Sequence, residues 1–195
     1  MKDLMTQRLI LRRWREYDRA PFAALNADPA VMEFMPEPLG RQASDELADR
    51  IERHFGRHGF GLFAAELRET GGFIGFIGLS VPGFDAPFMP AVEIGWRLAA
   101  AYWGKGLATE GAREALRFGF ETIGLDEIVS FTVPANLRSR RVMEKIGMTR
   151  DARDDFDHPR MPSGHPLRRH VLYRLTSASD RGSGQVGNLP HGRVL

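Results

Sequence analysis

Val92-Glu93-Ile94-Gly95-Trp96-Arg97-Leu98 and, after a short gap, Trp103-Gly104-Lys105-Gly106-Leu107-Ala108-Thr109-Glu110 are the stretches on which the fold turns. The first reads as a strand from Ala91 to Leu98, with Gly95 where a bulge or a close backbone approach would sit. The second is a Gly-x-Gly-x-Ala turn that opens onto a helix. Leu107, Ala108, Ala112, Ala115, Leu116, Gly119 and Phe120 fall near helical spacing as far as the stop at Gly124. A helix that begins inside a glycine turn aims its unpaired N–H groups and its positive end at one point, which suits a pyrophosphate. Gly104 and Gly106 let the backbone approach without a Cβ in the way. Most turns of this kind are only tight loops, so the flanking sequence has to decide. Lys105 has neither the glycine spacing before it nor the Ser/Thr after it of a Walker loop. Thr109 stands where a dinucleotide fingerprint needs its third glycine.

Upstream, Leu62–Leu67 and Phe73–Leu79 are strand-like runs on either side of Thr70-Gly71-Gly72, a hairpin signal. Leu9–Trp14 reads as a first strand. Asp18 is read as the N-cap of a helix with Pro21 near its start, running to about Asn26. Ser44 is read as the cap of a second helix with Leu47, Ile51 and Phe55 on one face and Asp45 and Glu46 at its positive end. Downstream come a strand over Glu127–Val133, a helix over Asn136–Lys145 ended by Gly147, and strands around Thr149–Phe156 and Arg168–Leu175. The loop between the last two holds Pro159, Pro162, Gly164 and Pro166. Thr176–Leu195 is polar and Ser/Gly-rich without an apolar period, which predicts a disordered tail after one domain over residues 1–175.

The 195 residues are 43% hydrophobic and 27% charged, the balance of a water-soluble globular chain. No apolar run approaches the ~20 residues of a membrane span, and the charged N-terminus shows no secretory signal, so a cytoplasmic protein is expected. There is no cysteine, which removes disulfides, thiolate metal sites and a cysteine nucleophile. A formal charge of +2 does not argue for nucleic acid, although arginines cluster at Arg12-Arg13, Arg138–Arg141 and Arg168-Arg169. His158, His165 and His170, or His54 and His58, match no familiar ligand spacing, and no metal is expected.

In order along the chain, Thr6-Gln7-Arg8-Leu9-Ile10-Leu11-Arg12, Val92–Trp96, Trp103–Glu110 and Asn136-Leu137-Arg138-Ser139-Arg140-Arg141-Val142-Met143-Glu144-Lys145-Ile146-Gly147-Met148 resemble the GNAT superfamily of N-acetyltransferases, specifically the RimJ/RimL-like ribosomal-protein N-terminal acetyltransferases. The resemblance spans about Thr6 to Leu175. It implies one α/β (α+β) domain with a mixed, mostly antiparallel sheet of about 6–7 strands flanked by about four helices, and acetyl-CoA as co-substrate. Ile94, Gly95, Trp96, Arg97 and Leu98 would offer backbone hydrogen bonds to the pantetheine arm. Trp103, Gly104, Lys105, Gly106, Leu107, Ala108 and Thr109 would hold the pyrophosphate; the superfamily usually has Arg or Gln where this chain has Trp103. Asn136 would contact the cofactor arm, or cap its helix, or do both. Ser139 would lie near the thioester sulfur.

Without a cysteine, the simplest chemistry is direct attack of an amine on the thioester. Glu93, on the strand beside the expected thioester site, is the first candidate for base, acting through water, and otherwise an ordinary strand carboxylate. Asp155, Asp157 and His158 are second candidates. Met143 occupies the position at which many members carry a tyrosine acid; the resemblance implies Ser139 as a hydroxyl donor to the departing thiolate, otherwise an ordinary polar helix residue, with Tyr173 and Tyr102 as more distant candidates that read first as packing residues. The acceptor is an amine, either a small molecule or a protein N-terminus, on a monomer or homodimer. The competing reading is a non-catalytic acyl-CoA-binding module.

Overall fold

The computed structural model describes residues 2–177, and 178–195 of the expected tail lie outside the described residues. A nine-stranded sheet forms the centre, in the order β1 (Leu4–Met5), β2 (Leu9–Arg12), β3 (Leu62–Leu67), β4 (Phe73–Ser80), β5 (Glu93–Leu98), β6 (Glu127–Thr132), β9 (Arg169–Thr176), β7 (Thr149–Arg150), with β8 (Phe156–Asp157) added to β9. Every pair is antiparallel except β5 with β6. The excess over the expected strand count comes from β1 and from the division of the strand expected over Thr149–Phe156 into β7 and β8, each of the three being two residues long. The helices are α1 (Arg19–Ala27), α2 (Arg41–His58), α3 (Leu107–Arg117) and α4 (Leu137–Lys145). No helix among the described residues is long and apolar enough to cross a membrane.

β4 is buried from Ile74 to Leu79, which is why its sequence is a nearly unbroken apolar run. α3 lies close against this strand. A Cβ on Gly111 would come within 2.4 Å of Ile77 Cδ1, so glycine sets the distance between helix and sheet. α3 continues as a π-helical turn over Phe118–Ile123 and stops at Gly124, whose φ is 79°.

Several local readings change. The first strand ends at Arg12, and the Trp14 indole turns inward to donate to the Leu62 carbonyl at 2.7 Å. Asp18 does not cap α1 with its side chain. It is buried, and it accepts Arg12 Nη1 at 2.6 Å, Arg12 Nη2 at 2.8 Å and the Arg15 N–H at 2.8 Å. α2 starts at Arg41 behind Gly40, so Ser44 sits inside it, accepting from Asn26 Nδ2 at 2.8 Å, and Asp45 and Glu46 fall outside the first turn. Gly95 pairs regularly with Gly78, and the register shift of the hairpin falls at Ala65/Glu66. The strand expected over Thr149–Phe156 is broken by a 3-10 turn at Ala152–Asp154, where Asp151 accepts the Arg153 N–H. β9 extends to Thr176, paired with Glu127, so the sheet reaches into the segment read as tail.

Candidate active site

The sheet opens between its two parallel strands. Glu93↔Val129 is the only register pair of β5 with β6; past it the strands part, leaving a cleft of about 670 Å³. Peptide groups point to alternate sides of a strand. On the β6 side, the Ile94 carbonyl accepts Ser130 Oγ at 2.9 Å and the Leu98 carbonyl accepts Trp103 Nε1 at 2.8 Å. Trp96, between them, therefore turns its peptide edge to the cleft with no strand opposite. Of the run Ile94–Leu98, Gly95 and Arg97 spend their peptide groups on β4.

The glycine loop closes one end of the cleft. Gly104 and Gly106 have φ of 72° and 78°, a region that favours glycine. No heavy atom lies within 4 Å of a Cβ built on Gly104. Trp103, Gly104, Gly106, Leu107, Ala108 and Thr109 line the cleft at the start of α3. Lys105 does not: its ammonium lies 5.5 Å from the Tyr102 ring centroid, and its carbonyl accepts Arg8 Nη1 at 2.9 Å. The residues Thr6 and Arg8 of the N-terminal motif brace this loop. Glu110 accepts Thr6 Oγ1 at 2.6 Å, the Arg8 N–H at 2.7 Å and Arg8 Nε at 2.7 Å. These bonds hold the Glu110 carboxyl below its ordinary range, although its partial burial works the other way. Trp103, in place of the usual Arg or Gln, ties the loop to β5 through its indole and carries the Arg138 guanidinium on its face at 4.4 Å.

At the head of α4, the Asn136 side chain caps the helix, accepting the Ser139 N–H at 3.1 Å and donating to Thr132 Oγ1 at 3.1 Å. The capping role is therefore present, and Asn136 also lines the cleft. Ser139 lines it as well, with its hydroxyl unbonded among the described residues. Met143 is buried in the core at the cleft floor. The Tyr173 hydroxyl donates to Glu144 and accepts from Arg140, outside the cleft lining.

Among the described residues Glu93 is the sole carboxylate lining the cleft, half-buried and without a hydrogen-bond or ion-pair partner. Loss of water around it pushes its carboxyl up to about 8. Of the second candidates, Asp155 is held by Arg150 and Asp157 by Arg168 and Arg169; these partners lower both carboxyls, and neither reaches the cleft. His158 does reach it, packed 5.1 Å from His170, and burial with the neighbouring charges lowers it to about 4. Among the described residues no group of three or more His, Asp or Glu side chains gathers as a metal ion requires. His54 has both ring nitrogens engaged, by the Phe60 carbonyl and the Val81 N–H.

The acetyltransferase (GNAT) domain family matches residues 8–149 of this sequence. The chain belongs to the GNAT acetyltransferase family. The uncharacterized N-acetyltransferase YnaD of Bacillus subtilis is 30% identical over 148 residues, 76% of this chain and 83% of that one. An acetyltransferase structure from Agrobacterium tumefaciens superposes with a TM-score of 0.73 at 29% identity, covering 91% of this chain and 95% of the other. RimL, a ribosomal alpha-N-protein acetyltransferase in complex with coenzyme A, shares the fold with a TM-score of 0.72 at 14% identity, over 90% and 98% of the two chains.

The protein is thus an acetyl-CoA-dependent N-acetyltransferase, and its geometry fits that co-substrate: an open strand edge at Trp96, a glycine cradle and a helix start face one cleft. Three parts of this acetyltransferase site escaped the sequence reading. Ser130 holds the two strands at the point where they part. Arg138 joins the glycine loop to the α1–α2 connection through Glu33 at 2.5 Å. The N-terminal Thr6/Arg8 brace had a sequence signal, because its motif was visible, but its partner Glu110 was not predictable from spacing.

Proposed function

We propose that the chain transfers an acetyl group from acetyl-CoA to a primary amine by direct attack within a ternary complex. The observation that carries this is Glu93: an unpaired carboxyl, alone of its kind in the cleft, on the strand whose open edge faces the glycine cradle. Acetyl-CoA supplies the activated thioester. Trp96 aligns its arm as an added strand would, and the N–H groups at the start of α3 receive its phosphates. Glu93 takes the proton of the amine through water, and the Ser139 hydroxyl donates to the departing thiolate, whose ordinary pKa of ~8.5 makes it a fair leaving group. Val31, Phe34 and Met35 on one side and Arg160, Met161 and Leu167 on the other border the acceptor end. The ordered motifs support a place in the RimJ/RimL-like branch, with a protein N-terminus or a small amine as acceptor, and we place this activity in the cytoplasm on the chain's composition.

Coenzyme A release measured across a panel of peptides and small amines tests this reading. At least one amine is expected to support turnover, and Glu93→Gln should lower kcat/KM about 10²-fold or more. Acetyl-CoA binding with no transfer to any amine, unaffected by Glu93→Gln, would make the chain an acyl-CoA-binding module.

A further inference from the structure

Arg97 lines the cleft, and acetyl transfer as described does not use its side chain. Its position on β5 opposite Phe76, with Gly95 opposite Gly78 and Glu93 opposite Ser80, puts its side chain on the same sheet face as Glu93. That face looks toward α1 and the α1–α2 connection. Arg97 Nη1 donates to Asn26 Oδ1 at 2.6 Å and Nη2 meets Met35 Sδ at 3.3 Å, both neutral partners. No carboxylate pairs with this guanidinium among the described residues. Arg12, also inside the protein, holds two carboxylates, Asp18 and Glu66.

Burial draws the Arg97 guanidinium down to about 10, still far above neutrality, so it remains a cation. This half-buried guanidinium, 5.4 Å from the Phe76 ring centroid, has only neutral contacts, and a cation so placed is stabilised by an anion in the cleft it lines. A guanidinium has five N–H donors, and the two neutral contacts leave several free. The charges around it narrow what that anion belongs to. Among the described residues Glu93 is the only carboxylate lining the cleft, against Arg97, Arg141, Lys145 and Arg160, with Arg138 already paired with Glu33. An acceptor with several ammonium groups meets repulsion there; a monoamine that also carries an anion does not.

We infer that Arg97 receives a carboxylate on the acceptor, so that the substrate class is a small amine bearing one carboxylate, its nitrogen at Glu93 and its anion at Arg97. The inference rests on the acetyltransferase reading of the cleft. Four residues of strand place the two Cα atoms about 13 Å apart, so the amine and the carboxylate are separated by several bonds.

The test is a kinetic series on the full chain: glycine, β-alanine, γ-aminobutyrate and ε-aminocaproate, each beside its carboxamide, with spermidine and an N-terminal peptide as further acceptors. The best acid is expected to exceed its own carboxamide at least about tenfold in kcat/KM. Arg97→Gln should remove that preference by raising KM for the acid, with the carboxamide and the KM for acetyl-CoA unchanged. Arg97→Lys should restore part of it. Equal rates for acid and carboxamide, a preference for spermidine, peptide acetylation indifferent to carboxylates, or an equal loss for acid and carboxamide in Arg97→Gln would overturn the inference; the last would leave Arg97 as a pin for Asn26. If acetyl-CoA binds but no amine is acetylated, the transferase reading fails instead. Titration of γ-aminobutyrate into the acetyl-CoA-loaded protein then decides: a rise in Tm that is lost in Arg97→Gln keeps the carboxylate site, and no rise removes it.

Discussion

At the scale of single residues, the state of the Glu93 proton controls both rate and stability. A carboxyl raised from 4.5 to about 8 is mostly protonated at neutral pH, and it takes a proton from the amine only once it has lost its own. With an acceptor amine whose pKa is ~10.4, kcat/KM should therefore climb through about pH 8 and level above it, whereas Glu93→Gln, left to the free-amine fraction alone, should be slower and keep climbing toward ~10.4 without the break near 8. A wild-type profile flat between about pH 6 and 9 would remove Glu93 as base. The same tight hold on the proton makes stability depend on pH. The folded protein binds this proton more tightly than the unfolded chain, so folding stability falls as pH rises from about 4.5 to about 8 and then levels. Glu93→Gln has no such proton to lose. In denaturant titrations it should match the wild type near pH 5 and exceed it by about 1–3 kcal/mol near pH 9, since each tenfold difference in proton affinity between the folded and unfolded chain is worth ~1.4 kcal/mol; an equal difference at both pH values would contradict the burial of the charge. Glu93 was legible as a candidate because it sits on the strand before the glycine turn. Its lack of a partner was not, because that depends on what β4, β6 and the late loop place opposite it.

At the scale of elements, α3 works as a cradle because its first turn is fixed from outside the helix. Gly104 and Gly106 shape the turn, and Glu110, a turn into the helix, fastens it to Thr6 and Arg8 beside β2. Glu110→Ala leaves three donors without their acceptor. It should raise the KM for acetyl-CoA several-fold and destabilise by about 1–3 kcal/mol, while the acceptor KM and the pH profile stay as in the wild type. An unchanged KM for acetyl-CoA would mean that the cradle holds its shape without the brace. The elements themselves divide by how local their causes are. β3, β4, β6 and α3 were readable because period and turn residues lie within each segment. β1 was not, since two residues carry no period, and β7 and β8 were read as one strand over Thr149–Phe156 because the 3-10 turn between them has no local apolar signal. The caps misled for a related reason. Ser44 and Asp18 have the right side chains for N-caps, but Asn26 and Arg12 claim them from other elements, and a tertiary hydrogen bond leaves no trace in local spacing.

At the scale of the whole molecule, the sheet is two halves, β1–β5 and β6–β9, joined at one register pair and by the Ser130 hydroxyl on the Ile94 carbonyl. One buried cluster nevertheless runs through both, from Leu9, Ile77 and Ile94 through α3 to Ile128, Met143 and Tyr173, and the two halves are therefore expected to unfold together. A ligand lying where the strands part touches both halves and has no counterpart in the unfolded chain. Its binding energy therefore adds to global stability, by about 2.7 kcal/mol at a hundred times its Kd. For a domain of this size that corresponds to a rise in Tm of about 5–11 °C. Calorimetry with acetyl-CoA should show one transition that moves upward as a unit, and Ser130→Ala, which leaves the Ile94 carbonyl without its partner, should lower Tm without splitting the peak. Two transitions, with only one responding to acetyl-CoA, would show that the halves fold independently and that the cofactor sits on one of them instead of between them.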